Sequence, residues 1–404
     1  MKWEKAKLGE LYEVHNGLSK ARKFFGEGYP FLTFSTVFNN YFIPKQITDL
    51  VQSTEKEQES YSIRRGDVFV TRTSETSDEL GMSCVALKDY PMATYNGFTK
   101  RMRPITNRVF PEYIGYYMRL PSFRGEFRAF STMTTRASLR NEDLLGLEVK
   151  LPSIEIQKQI ADILSAYDDL IENNQKQIKL LEEVAQRLYK EWFVDLRFPG
   201  HENTKIVDGV PEGWNWCKLE DAIQLDPKVT LTKERMKQFI PMSALSTSSM
   251  VLDESQFTET TSNSGSKFQN GDTLLARITP CLENGKTAYV FGLKSDEGAV
   301  GSTEYIVMRA KTINSYMVYL LARTDDFRQS AINSMSGSDG RQRVKSDKLK
   351  MLDYLHPTSE LVEKFENVEE PIFEKIYRLS KQMQQAKQAR DLLLPKLMSG
   401  EVEV

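Results

Sequence analysis

Positively charged and hydroxyl side chains gather at two places in this chain. In the first half Arg64, Arg65, Arg72, Thr73 and Ser74 are followed by Lys100, Arg101 and Arg103, and then by Arg136, Ser138 and Arg140. In the second half Arg277, Thr279 and Lys286 are followed by Arg341, Arg343 and Lys345, after the segment SMSGSDG. A guanidinium is a planar fork that matches the paired acceptors on the edge of guanine, and Lys, Ser and Thr side chains reach phosphate oxygens. Any one of these residues alone is ordinary solvated surface. Their partly matching positions in the two halves single out the group as candidate DNA contacts: Arg72, Thr73, Ser74, Lys100, Arg101 and Arg136, then Arg277, Thr279, Lys286, Arg341, Arg343 and Lys345.

Catalytic constellations are missing. Asn284-Gly285-Lys286-Thr287 resembles the end of a phosphate loop, but that pattern needs a glycine where Pro280 stands. There is no G-x-G-x-x-G after a strand, no H-E-x-x-H and no C-x-x-C. The three cysteines (Cys84, Cys217, Cys281) and three histidines (His15, His201, His356) are scattered, so neither a disulfide framework nor a metal cluster is expected. A chain that is no enzyme by itself, and holds no metal or cofactor, is the expectation. Lys and Arg number 54 against 56 Asp and Glu, for a formal charge of −2, so any nucleic-acid surface must come from local placement of charge. Hydrophobic content of 40% is that of a soluble globular protein, and the longest apolar runs are far short of a membrane span. The charged start MKWEKAKLGELY lacks an apolar signal region, and with the scattered cysteines this points to a reducing cytoplasm.

The elements that must position the basic groups are long helices. From Ile156 to Trp192 apolar residues recur at alternating steps of four and three: Ile160, Leu164, Tyr167, Ile171, then Ile178, Leu181, Ala185, Leu188 and Trp192, with Asn174 in the intervening step. This is a coiled-coil seam with one polar position. Neither Pro nor Gly interrupts it, Pro152 stands where a helix would start, and the rod would be about 55 Å long. Such a helix leaves an apolar stripe wet unless another covers it. The same spacing returns 205 positions later in Phe365, Ile372, Ile376, Leu379, Met383, Ala386, Leu393 and Leu397, with charged Glu369 and Arg390 in the seam and Pro357 in the place of Pro152.

Other stretches repeat too. KLGELYEV after Trp3 is echoed by KLEDAIQL after Trp214, and RRGDVFVTRT at 64–73 by QNGDTLLARIT at 269–279. In both, Gly-Asp opens a strand-like run and an Arg follows the Gly by six residues, Gly66 to Arg72 and Gly271 to Arg277. YIGYYM at 113–118 matches YMVYLL at 316–321, and RASLRNEDLLGLEVKLPS at 136–153 matches RQRVKSDKLKMLDYLHPTS at 341–359. Short strands are expected near 29–34, 68–72 and 82–87, punctuated by Gly66-Asp67, Gly81 and Asn96-Gly97, and helix over 111–130 with a break at Pro121. The fold class is therefore α+β, an internal duplication in which two mixed α/β domains are separated by two long helices forming an antiparallel, pseudo-two-fold coiled coil. The expected boundaries are a first domain at 1–152, a first spacer helix at 153–198, a second domain at 199–357 with a linker at 194–213, and a second spacer helix at 358–404. The expected molecule is elongated, with a globular reader at each end of a rod.

This organisation resembles the DNA-specificity subunit of type I restriction–modification systems. The resemblance is carried by 147–193, LEVKLPSIEIQKQIADILSAYDDLIENNQKQIKLLEEVAQRLYKEWF, and by 352–401, LDYLHPTSELVEKFENVEEPIFEKIYRLSKQMQQAKQARDLLLPKLMSGE. The family pattern is a Pro-containing strand end, then Glu-Gln and a long helix. Glu155-Ile156-Gln157 is a looser version, and Glu360-Leu361-Val362 lacks the Gln. GSDGRQ at 337–342 resembles the family's Gly-rich approach to its strand, whereas TMTTRAS in the first copy has no glycine. The resemblance covers the whole chain in its domain–helix–domain–helix order and is specific for the helices.

It implies that each domain is a target-recognition domain reading half of a split, asymmetric site in double-stranded DNA. It also implies that the paired helices set the gap and dock two modification (methyltransferase) subunits, which bind S-adenosylmethionine and methylate adenine. A restriction/translocase subunit would complete the complex, and the chain itself would be non-catalytic, without a cofactor of its own and away from membranes. A protein–protein scaffold built on a coiled coil and acting without DNA is the alternative that the slightly acidic net charge leaves open.

Overall fold

The computed structural model describes residues 3–74, 80–129, 137–337 and 341–404. Two long helices, α1 (Ile154–Tyr189) and α2 (Ser359–Ser399), run through two compact units, Met1–Leu170 with Ala386–Val404, and Ile171–Gln385. These units divide each helix between them, whereas the sequence boundaries keep each helix whole.

The first unit is built on a four-stranded antiparallel sheet of β1 (Tyr12–Asn16), β2 (Val68–Thr71), β3 (Ser83–Val85) and β4 (Thr99–Pro104), in the order β1-β4-β2-β3. All four residues of β2 are buried, because both faces of the sheet are covered. Val68 and Val70 enter a core with Tyr113, Ile114 and Phe127, while Phe69 packs on the other side with Leu32, Val37 and Tyr95. The expected helix at 111–130 is two helices, Pro111–Tyr117 and Pro121–Ala129, each opening on a proline where the missing N–H costs no hydrogen bond. Glu4–Lys7 pairs antiparallel with Glu148–Leu151, so the unit closes on itself just before α1 begins.

The second unit repeats the plan. Strands β5 (Ile223–Leu225), β6 (Thr273–Ala276), β7 (Thr287–Tyr289) and β8 (Tyr305–Ala310) form a sheet in the corresponding order β5-β8-β6-β7, and Asn215–Lys218 pairs with Asp353–His356. The linker residues Ile206–Val207 and Val210–Pro211 form a small hairpin.

The repeated Gly-Asp has a structural meaning. Gly66 and Gly271 turn the chain at φ 88° and 87°, a region in which a β-carbon is strained. The aspartate that follows is buried. Asp67 accepts the amide of Arg64 at 2.7 Å and a bidentate pair from Arg103 at 2.8 and 2.7 Å. Asp272 accepts the amide of Gln269 at 2.7 Å and two bonds from Arg309 at 2.6 Å. The carboxylates hold both guanidinium pKa values above the ordinary range. Arg103 thus serves inside the fold, although the sequence groups it with the basic patch.

Each unit completes its core with pieces of both helices. Ile160 and Leu164 of α1 join Leu393, Leu394, Leu397 and Met398 of α2 in the first unit. In the second, Ile178, Ala185 and Tyr189, with Trp192 just beyond α1, join Phe365, Ile376 and Leu379 of α2, with Leu181, Leu188 and Ile372 half-buried against them. The start of one helix meets the end of the other, so the pairing is antiparallel. Tyr167, Ile171, Met383 and Leu393 are half-buried.

The polar seam residues differ in how they are satisfied. Asn174, 1% exposed, donates to Gln382 Oε1 at 3.2 Å and to the carbonyl of Leu379 at 3.5 Å. Arg390 pairs with Asp168, which also accepts from the Tyr116 hydroxyl, and lies over the Tyr41 ring. Glu369 is fully buried, and neither carboxyl oxygen has a partner among the described residues. Burial alone raises its pKa from 4.5 to about 7.

Two stability tests follow from these groups. Asp272→Ala leaves the Arg309 charge without its partner and is expected to destabilise the chain by about 3–5 kcal/mol in urea unfolding, with Asp67→Ala doing the same in the other copy. Losses under 1 kcal/mol would contradict a structural role for the repeated motif. At Glu369 the folded chain holds its proton more tightly than the unfolded chain does. Its carboxyl therefore adds no penalty below about pH 4.5, and stability is lost as pH rises through about 7. Glu369→Gln should match the native chain near pH 4.5 and exceed it by about 3 kcal/mol at pH 8. Parallel pH profiles would show that the carboxyl is solvated.

Candidate nucleic-acid interface

The site is built from the residue that ends the Gly-Asp strand. In the first unit the amide of Arg72 donates to the carbonyl of Phe98 at 3.0 Å, and the Arg72 carbonyl accepts the amide of Leu139 at 2.9 Å. In the second, the amide of Arg277 donates to Glu304 at 2.9 Å and its carbonyl accepts Val344 N–H at 2.9 Å. Thr73 pairs with Ser138, and Ile278 with Arg343. The backbone therefore places an arginine in the same way twice, clamped between the sheet and the segment leading to the short helices Asn141–Gly146 and Ser346–Lys350.

The side chains then diverge. Arg72 Nη1 lies 3.4 Å from Asn16 Oδ1, whereas Arg277 donates through Nε and Nη2 to the Val344 carbonyl at 3.1 and 2.9 Å. Lys100 reaches Asn141 Oδ1, and burial together with the neighbouring Arg72 charge lowers its pKa, which brings Lys100, Arg72, Asn16 and Asn141 to one corner. Arg101, on the opposite face of β4, is buried. It donates to the Ser62 carbonyl at 2.8 Å and its guanidinium lies 5.6 Å from the Tyr95 ring centroid. Lys286 is also turned away, donating to the Met242 carbonyl at 2.9 Å.

In the second unit Thr279 donates its amide to Gln342 at 3.1 Å, and its buried hydroxyl has no partner among the described residues. Arg343 forms a bidentate pair with Glu304 at 2.7–3.0 Å, which lowers the glutamate pKa. Arg341 and Lys345 are exposed. The structure thus gathers Arg277, Thr279, Arg341, Arg343 and Lys345 along one edge. Arg136 and the side chain of Ser74 lie outside the described residues. Among the described residues there is no cluster of His, Cys, Asp or Glu able to hold a metal, and no helix long and apolar enough to cross a membrane.

Sequence reasoning missed Asn16 and Asn141, which are neutral and isolated in the chain, and the helix-start contacts. Gln157, 1% exposed, accepts the amide of Phe110 at 2.8 Å and donates to the carbonyls of Arg108 and Pro152 at 2.9 Å. The second copy has Val362 there. The bond is made from the other side, with Asn314 Nδ2 donating to the Val362 carbonyl at 3.1 Å.

Comparison with known proteins bears on what such a twofold edge recognises. Residues 1–183 match the type I restriction modification DNA specificity domain. The type I restriction enzyme MjaIX specificity subunit of Methanocaldococcus jannaschii is 26% identical over 415 aligned residues, spanning 100% of this chain and 94% of that protein. The EcoAI specificity subunit of Escherichia coli is 29% identical over 225 residues, 54% of this chain and 38% of its own length. The solved S subunit from M. genitalium shares the fold, with a TM-score of 0.59 at 14% identity over 98% of this chain and 96% of that one. The duplicated α+β architecture is the fold of that S subunit. In its match over residues 1–183 and its likeness along the whole chain to the MjaIX subunit, the chain resembles type I restriction–modification DNA-specificity subunits.

Proposed function

We propose that the two globular regions each read one half of a split, asymmetric target in double-stranded DNA, and that the paired helices set the unspecified gap. The observation that carries this reading is the doubled clamp. One backbone arrangement holds Arg72 and Arg277 in equivalent places, while the surrounding side chains differ, as two readers of different half-sites require. Arg72, Thr73, Ser74, Lys100 and Arg136 would serve one half, and Arg277, Thr279, Arg341, Arg343 and Lys345 the other. Arg101 and Lys286, tied to internal carbonyls, would support the edge from behind. Arg343 would have to exchange Glu304 for DNA.

In the same reading the helices dock two modification subunits, which carry S-adenosylmethionine and methylate adenine, and a restriction/translocase subunit completes a cytoplasmic complex. The present chain contributes recognition and spacing, with neither a catalytic group nor a cofactor of its own. Exposed Leu180, Val184 and Leu392 on the helices offer apolar surface to such partners.

Half-site competition tests the division of labour. In a complex with the modification subunit, Arg72→Ala should lose about 1–3 kcal/mol of discrimination against duplexes scrambled in one half-site and keep it for the other, and Arg277→Ala should do the reverse. Equal loss at both halves would contradict separate readers. The spacing role is tested by adding one heptad to each helix with the seam kept in register. This lengthens the rod by about 10.5 Å, so the gap in the target should grow by about three base pairs. An active complex with an unchanged gap would sink the ruler.

A further inference from the structure

A cleft of about 470 Å³ in the second unit is lined by Asp226, Lys228, Thr230, Lys267, Arg277 and Tyr305, among others. Its rim is set by an alternating stretch after β5. Pro227, Val229 and Leu231 turn inward, the latter two packing on Val300, and this leaves Lys228 and Thr230 outward on the intervening positions. Lys267 comes from the neighbouring strand Ser266–Phe268, which pairs with Ala299–Gly301. Gly265, at φ 115°, lets that strand start close to its partner, since a β-carbon there would lie 2.2 Å from the Gly301 carbonyl oxygen.

The charge in the cleft is predominantly positive. Its one lining carboxylate, Asp226, is consumed internally, accepting the Val307 amide at 3.0 Å and the Ser346 hydroxyl. Arg277 keeps Nη1 after its two bonds to Val344. The ammonium groups of Lys228 and Lys267 have no hydrogen-bond or ion-pair partner among the described residues. Lys228, Lys267 and Arg277 therefore outnumber the single carboxylate, Asp226, around a concave polar space. The equivalent region of the first unit differs, because Arg101 and Arg103 there bond to Ser62, and Gly17 follows β1.

We infer that this cleft seats the phosphodiester backbone of the DNA strand bordering the half-site of the second unit, with Lys228 and Lys267 each neutralising a phosphate and Arg277 facing the bases beside them. This rests on the DNA-reading role proposed above and adds two contacts that carry no sequence information. Backbone DNA is favoured over an acidic protein surface because the cleft shares Arg277 with the reading edge.

The test is the salt dependence of DNA binding by the complex with its modification subunit. Lys228→Gln/Lys267→Gln should lower the slope of log affinity against log salt by about two. It should weaken target and scrambled duplexes alike and leave the methylated motif unchanged, and Lys→Arg at both sites should restore the slope. Thr230→Glu, which adds a carboxylate to the exposed rim, should weaken binding in the same uniform way if the Gln pair proves unstable to heat. An unchanged slope in folded variants, with the unaltered complex still steeply salt-dependent, overturns the cleft and leaves the half-site reading intact. An unchanged slope with loss of the modification subunit on co-purification assigns the cleft to an acidic protein surface and overturns the inference. No salt-dependent DNA binding by the unaltered complex overturns the half-site reading and the inference with it.

Discussion

A long amphipathic helix has to bury its apolar stripe, and here that requirement organises everything else. Neither globular region has a finished core without helix. The first unit closes with Ile160 and Leu164 from the start of α1 and Leu394, Leu397 and Met398 from the end of α2. The second closes with Tyr189 and Trp192 against Phe365, whose rings pack edge-on at 5.2–6.1 Å. Each helix therefore serves two cores, and each core depends on residues far apart in the chain. The polar seam groups add direction. Asn174 reaches Gln382, and Arg390 ties Asp168 of α1 to Tyr41, so a slip along the seam would strand buried polar groups.

Duplication explains which features recur. The Gly turn, the buried Asp–Arg pair and the clamp on Arg72 and Arg277 return with the same geometry because they hold the sheet together. The helix start also recurs, with its donor moved. Gln157 reaches out from α1 in the first copy, and Asn314 reaches toward α2 in the second. The surfaces around the two arginines have drifted apart, with Asn16 and Lys100 at one and Asp226, Lys228 and Lys267 at the other. Such divergence on a shared frame fits two readers of unlike sequences.

The two helices, the duplication and the α+β class were legible because each rests on periodicity or repeated spacing. The strands opening at Gly66-Asp67 and Gly271-Asp272 were legible from local turn chemistry. The arginine partners of those aspartates were not, since Asp67 and Arg103 meet only through sheet pairing. Nor could the sequence separate Lys100 from Arg101, adjacent residues that point to opposite faces of β4. Pro371 was invisible in the seam pattern, and α2 continues through it. The residue lies on the exposed side, where water can satisfy the carbonyl freed by its missing N–H. Lys228 and Lys267 were overlooked for a similar reason, because only the folded loop brings them to Arg277.

The central claim is that one chain carries two separate readers at a fixed separation. Methylation mapping at single-base resolution, in cells expressing the chain with the modification subunit from the same genome, tests it most directly. The account requires a split motif with a constant gap, methylated on both strands. A single uninterrupted motif, a gap of variable length, or no new methylation from a stable complex would contradict it.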